Sequence, residues 1–352
     1  MKINKSFYTL VFAISLILAG CGNSETVKTG ISENEKITIY TTIYPLEDFT
    51  KKIGEDYVDV KSIYPPNVDA HSFEPSTKDM VALAESDLFI YSGVGIDAFA
   101  ENAIKSLKNE SVTILEAGEG IELIESSHNE EHPHEEEAVE AEEHGHEEQD
   151  ADAEEHGHED ESVEEDGDEH KDDVHNDGDH DPHIWLDPLR AIEIAENIKN
   201  SLSDLKPEHA STFESNYIRL KENLEKLDQE FKTTIESSKT NIILVSHEAY
   251  GYWEERYGIE QIAITGLSPT QEPSLKQLQN IIEESKEHDI HYVIFEQSVT
   301  PKVVETIQKE LGAESLTLHN LESLTEENIE QKDDYFSIMG MNLNTIKTAL
   351  ND

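Results

Sequence analysis

Four side chains with the chemistry of metal ligands stand far apart in this chain. They are His71 in V-D-A-H-S-F-E-P-S, His183 in D-P-H-I-W-L-D-P, His247 in V-S-H-E-A-Y-G-Y and Glu296 in V-I-F-E-Q. Three neutral imidazoles and one carboxylate form a donor set suited to tetrahedral Zn2+. A harder, oxygen-rich set would suit Mn2+ instead. Any one of these residues alone would be an ordinary surface or core side chain. His209, His288, His291 and His319 are read that way. The four gain weight together because each falls at the carboxyl end of an expected strand or in a loop at that edge.

The elements that must position them follow from periodicity. Short β-rich runs alternate with helical patterns at 37–40, 46–53, 58–63, 77–86, 88–91, 97–107 and 112–115. This rhythm predicts a parallel α/β sheet. It restarts with strands at 241–245, 261–265, 291–295 and 315–318 and helices at 274–288, 301–311 and 334–351. An amphipathic helix is expected over 191–205. Between 208 and 237, Phe213, Tyr217, Leu220, Leu224, Leu227, Phe231 and Ile235 recur every three or four residues, which predicts one long helix. In parallel sheets, ligands collect beyond the carboxyl ends of the strands. His247 and Glu296 follow two strands of the second lobe, His71 follows a strand of the first, and His183 opens the segment that returns to it. The expected fold class is α/β, with two Rossmann-like lobes joined by one long rigid helix and the metal in the cleft between them. The expected boundaries are 37–124 plus 182–206 for the N-terminal lobe, 207–237 for the linking helix and 238–352 for the C-terminal lobe.

The segment 125–181 is of another kind. It holds 28 acids against one lysine, a net of −27 out of −52 for the whole chain, and ten of the seventeen histidines. His132-Pro133-His134, His144-Gly145-His146 and His156-Gly157-His158 repeat a His-x-His unit. So little apolar content cannot offset the entropy of ordering, so a disordered loop is expected. Its histidines can bind Zn2+ weakly as an accessory collector. The overall acidity argues against nucleic acid, whose phosphates need Lys and Arg, and favours cations.

The N-terminus carries Lys2 and Lys5, an apolar run from Phe7 to Ala19 and then Leu18-Ala19-Gly20-Cys21. The run is short for a membrane span and reads as a signal peptide over 1–20. Cys21, the single cysteine, stands where a bacterial lipobox is lipidated, and 21–36 reads as a polar tether. Gly93-Val94-Gly95-Ile96-Asp97-Ala98 imitates a dinucleotide fingerprint. It follows the third strand rather than the first, so a tight turn is the expected reading.

These motifs, in this order, resemble the zinc-uptake substrate-binding lipoproteins of bacterial ABC importers, within the larger zinc/manganese-binding family. The carriers are 68–76, S-D-L-F-I-Y-S-G-V-G-I-D (86–97), the acidic insertion, 181–188, S-H-E-A-Y-G-Y (246–252), G-L-S-P-T-Q-E-P-S (266–274) and V-I-F-E-Q-S-V-T-P-K (293–302). The resemblance implies metal ligands at His71, His183, His247 and Glu296, with Glu74 and Asp187 orienting imidazole N–H groups. It implies Zn2+ as transported ligand, not cofactor, and no enzymatic activity. It also implies a monomer lipid-anchored at the extracytoplasmic face, as in a Gram-positive cell, with an ABC permease and its ATPase as partners. Three alternatives stay open: a manganese-binding member of the family, a zinc-dependent hydrolase using Glu248 or Glu296 as base, and an adhesin or zinc buffer working without a permease.

Overall fold

The computed structural model describes residues 35–125, 180–297 and 301–352. The signal peptide, Cys21 and nearly all of the tether lie outside them. So does the acidic segment apart from Glu125, His180 and Asp181, with His132, His134, His144, His146, His156 and His158.

Strands β1 (Ile37–Thr41), β2 (Val58–Ser62), β3 (Leu88–Tyr91) and β4 (Thr113–Glu116) form a parallel sheet in the order β2-β1-β3-β4. Helices α1 (Tyr44–Gly54), α2 (Thr77–Ala84) and α3 (Ala100–Leu107) make the crossovers. The chain then passes through α4 (Pro188–Leu205) and the long α5 (Ala210–Glu236). In the C-terminal lobe, β5 (Ile242–His247), β6 (Glu260–Thr265), β7 (Tyr292–Glu296) and β8 (Glu314–Leu318) repeat the arrangement as β6-β5-β7-β8. They alternate with α6 (Gly251–Tyr257), α7 (Leu275–Glu287) and α8 (Lys302–Leu311), and α9 (Glu326–Gln331) and α10 (Tyr335–Ala349) close the chain. All pairings within the two sheets are parallel. The expected strands and helices are present with ends moved by a few residues. The short α6 and α9 went unforeseen. Seven and six residues give too few turns for a helical period to show in sequence.

Helix α5 is 27 residues long, ~40 Å at 1.5 Å per residue. Its predicted apolar series is its buried face. It packs on α1 and α4 at one side and on α6 and α10 at the other.

One continuous apolar core crosses both sheets, containing Ile37 and Ile39 of β1, Trp185, Phe231, Ile243, Val245, Trp253, Ile294 and Tyr335. A second core lies on the outer face of the C-terminal sheet, around Leu244, Ile262, Val293 and Val304. Side chains alternate faces along a strand. On β5, therefore, Ile243, Val245 and His247 share the inner face, and on β7 so do Ile294 and Glu296. The alternation that fills the shared core also aims the polar strand ends at the other lobe.

The fingerprint-like stretch is a turn closed on itself. Gly93, Val94 and Gly95 all have positive φ. The amides of Ser92 and Gly93, which could cradle a phosphate, donate instead to Asp97 Oδ2 at 2.7 and 3.2 Å, and Tyr64 Oη donates to Oδ1 at 2.7 Å. Burial outweighs these bonds and pushes the Asp97 carboxyl from 3.8 up to about 6. The folded chain thus holds this proton more firmly than the unfolded one. The stabilisation is complete below the unfolded value and is lost as pH rises through the folded one. Against Asp97→Asn, the unaltered chain should lose roughly 2 kcal/mol of relative stability between about pH 4 and pH 7. Urea unfolding at both pH values measures this, and a difference independent of pH would refute it.

Candidate metal centre

His71 sits in a single helical turn, Ala70–Ser72, whose Asp69 accepts from the His71 amide at 3.0 Å. His183 opens the turn Ile184–Leu186. Asp181 Oδ1 contacts both the His183 amide, at 2.9 Å, and its ring Nδ1, at 2.7 Å. Pro182 folds the chain back tightly enough for a residue two positions earlier to hold the ring. Gly251 closes over the same carboxylate: a Cβ there would come within 2.5 Å of Asp181 Oδ2. His247 ends β5, and its Nδ1 forms a very short ion pair with Glu296 Oε1.

The three rings surround one point. Their centroids are 5.4 Å (His71–His183), 6.0 Å (His71–His247) and 5.3 Å (His183–His247) apart. The Nε2 atoms of His183 and His247 approach to 3.4 Å. The fourth donor in this cluster is Glu322. One ligand-type atom from each of His71, His183, His247 and Glu322 lies within 4.8 Å of all the others. Glu322 Oε1 is 3.6 Å from His71 Nε2, and both atoms are buried without a hydrogen-bond partner. Unsatisfied buried polar atoms are costly, so a pair facing the same point marks a place for a cation. The side chains of His183, His247 and Glu322 are 0–2 % exposed and that of His71 is 11 %, so His71 forms the outer wall.

The structure does not bring Glu296 into this cluster. Strands β5 and β7 pair Val245 with Ile294, and two residues further His247 and Glu296 stand side by side on one face. A cross-strand neighbour meets the flank of the imidazole, at Nδ1, and leaves Nε2 free to point away. The Glu296 carboxylate therefore orients the ring. The donor that closes the set comes from the loop beyond β8. There Leu321 takes a positive φ of 61°, and Glu322 Oε2 accepts from the Ala70 amide at 2.8 Å. The strand-end rule applied to β8 could have found Glu322; its H-N-L-E-S context carries no other signal.

The orienting residues also differ from expectation. Glu74 is exposed. Asp187 is fully buried but serves elsewhere: it caps α4 through the Leu189 amide and pairs with Arg190 and Arg256. Asp181 does for His183 what Asp187 was expected to do. His319 is buried but both its ring nitrogens are engaged, Nδ1 by the Leu321 amide and Nε2 by Asn328.

Burial, then the charges of His183 and His247, hold His71 down to about 3. Burial likewise holds His183 well below its ordinary value. His247 goes the other way: burial lowers it, but the Glu296 charge and hydrogen bond outweigh burial and raise it above its ordinary value. Burial and the Glu296 charge push Glu322 up to about 8. Two imidazoles kept neutral and a carboxyl short of positive charge are what a divalent cation would reward, since it reverses the local balance.

Residues 39–349 match the family described as zinc-uptake complex component A, periplasmic. The high-affinity zinc uptake system protein ZnuA of Bacillus subtilis is 31% identical over 341 residues, 97% of this chain and 96% of that protein. The zinc-binding protein AdcA of Streptococcus pyogenes is 33% identical over 316 residues, 89% of this chain and 56% of that protein. The chain thus spans about half the length of that streptococcal relative. The crystal structure of Zn(II)-bound AdcA from Streptococcus pneumoniae superposes with a TM-score of 0.67 at 28% identity, covering 90% of this chain and 58% of that one.

Proposed function

Because the chain belongs to the zinc-uptake complex component A family, we propose that it captures Zn2+ outside the cytoplasm and passes it to an ABC permease. His71, His183, His247 and Glu322 hold the ion, and Asp181 and Glu296 fix the tautomers of His183 and His247. One observation carries the ligand set: the part-buried His71 and the buried His183, His247 and Glu322, from the end of β5 and three loops of the two lobes, converge within 4.8 Å. Three imidazoles and one carboxylate favour Zn2+ over the harder Mn2+. Four protein donors fill a tetrahedron, whereas zinc hydrolases keep one position open for water. That supports a binding protein over an enzyme.

The remaining parts rest on sequence. Lipidation at Cys21 would supply two acyl chains, enough for stable anchoring. Among the described residues no helix is long and apolar enough to cross a membrane. The His-x-His units of 125–181 collect Zn2+ weakly, and the protein acts as a monomer with the permease and its ATPase.

Titration of the full chain with Zn2+ and Mn2+ in competition tests the reading. Zn2+ should win, and His247→Ala should abolish tight binding. Displacement of Zn2+ by equimolar Mn2+, or unchanged tight binding by His247→Ala, would overturn it.

A further inference from the structure

Asn320 stands between the two carboxylates of the site and touches the supports of both. It is 5 % exposed. Its Nδ2–H donates to Glu296 Oε2 at 3.0 Å, and its Oδ1 accepts from the Glu322 amide at 3.1 Å. Gln297 locks this orientation, since its Nε2–H donates to Asn320 Oδ1 at 2.8 Å and its Oε1 accepts from the Asn320 amide at 3.2 Å. The Asn320 carbonyl accepts from Trp185 Nε1 at 2.8 Å, and the Trp185 ring lies against that of His183, with centroids 5.4 Å apart.

We propose that Asn320 is the positioning residue that makes Glu296 an orienting group and Glu322 a ligand. Glu296 has two oxygens. One is taken by His247 Nδ1 and the other by the Asn320 amide, so its carboxylate cannot swing toward the ion. The same Asn320 side chain, through its other end, pins the backbone of Glu322 in a turn whose preceding residue has a positive φ. An amide is the one side chain of this size that donates to a carboxylate at one end and accepts from a backbone N–H at the other. The substitution Asn320→Asp would keep the acceptor and turn the donor into a second negative charge facing Glu296.

The assignment rests on the ligand set proposed above, and the variants separate the two. Asn320→Asp keeps the bond to the Glu322 amide and loses only the one to Glu296. It should weaken Zn2+ binding by nearly a hundredfold, the upper end of the range for groups that orient metal ligands and beyond the loss of about tenfold expected for Glu296→Gln alone. The exchange variant Asn320→Asp with Glu296→Gln rebuilds the bond with donor and acceptor reversed, and should bind more tightly than Asn320→Asp alone. A role only in holding the turn predicts neither the loss nor the rescue. Affinities come from chelator competition on the full chain, with circular dichroism to confirm folding. In the Co2+-loaded protein, visible absorption should change in Asn320→Asp and return toward the unaltered spectrum in the exchange variant. A loss no larger than that of Glu296→Gln alone, or no rescue by the exchange, overturns the assignment. Should Asn320→Asp fail to fold, an exchange variant that folds and binds Zn2+ sustains it, and one that also fails overturns it. His247→Ala, run alongside, loses tight binding whatever Asn320 does. If it does not, the ligand set itself is wrong.

Discussion

Glu322→Gln will bind Zn2+ roughly a hundredfold more weakly than the unaltered chain, while Glu296→Gln will lose only about tenfold. Structural zinc sites have apparent binding free energies of ~10–16 kcal/mol, so one of four donors accounts for ~3 kcal/mol, or about two decades of affinity. Glutamine retains the shape of Glu322, and its Oε1 can still accept from the Ala70 amide. What it lacks is the anionic oxygen next to His71 Nε2. At Glu296 the ion is not touched. A glutamine oxygen still accepts from His247 Nδ1, so the ring keeps its tautomer with a weaker partner. Chelator competition on the two variants decides the matter. Equal losses, or a larger loss from Glu296→Gln, would return Glu296 to the ligand set and remove Glu322 from it.

Asp187→Ala will cost about 3 kcal/mol of stability, with no metal present, because it leaves Arg256 without its carboxylate partner in a largely buried network and Arg190 with Glu255 alone, at 2.7 Å. Asp187 is wholly buried, with Oδ2 at 2.7 Å from Arg190 Nη1 and 2.6 Å from Arg256 Nη2, while Oδ1 takes Arg256 Nε at 2.6 Å. Arg190 belongs to α4 of the first lobe and Arg256 to α6 of the second, so the carboxylate ties the lobes together. The Arg190 guanidinium also lies over the Tyr252 ring at 4.5 Å, which keeps it in place when its partner goes. An exposed pair such as Lys105–Glu101 should by contrast be worth no more than about 1 kcal/mol. Urea unfolding of the metal-free chain measures both. A loss under about 1 kcal/mol for Asp187→Ala would show that water takes over the arginines, and that the lobes are joined by the apolar core alone.

The parts of this structure that repeat were the parts legible in sequence. Strand alternation and helix period placed both sheets and α5, because each rests on many residues that bury one face. His71, His183 and His247 were legible because each lies in a distinct motif at a strand edge. The assignment of carboxylates was not. Glu296 has the better sequence context, directly after β7, and the strand-end rule puts it at the site correctly. Whether it meets Nδ1 or the ion depends on the β5–β7 register, a long-range fact. Glu322 depends on a left-handed residue at Leu321 and on the bond to Ala70 in the other lobe. Asp181 and Asp187 both flank prolines beside His183, and only the folded turn distinguishes the ring partner from the helix cap.

The bond between Ala70 and Glu322 joins positions 252 residues apart in the chain. Donors so far apart in sequence have no useful local concentration in an unfolded polypeptide. A chain threaded through a membrane before it folds therefore carries no ion in this site, whatever the zinc supply on the side where it was made. Loading must wait until the loop beyond the last strand has closed onto the first lobe. An ion held in this site is then a certificate that the chain has been made past Glu322 and has folded, and an intermediate released short of Glu322 would not hold one there.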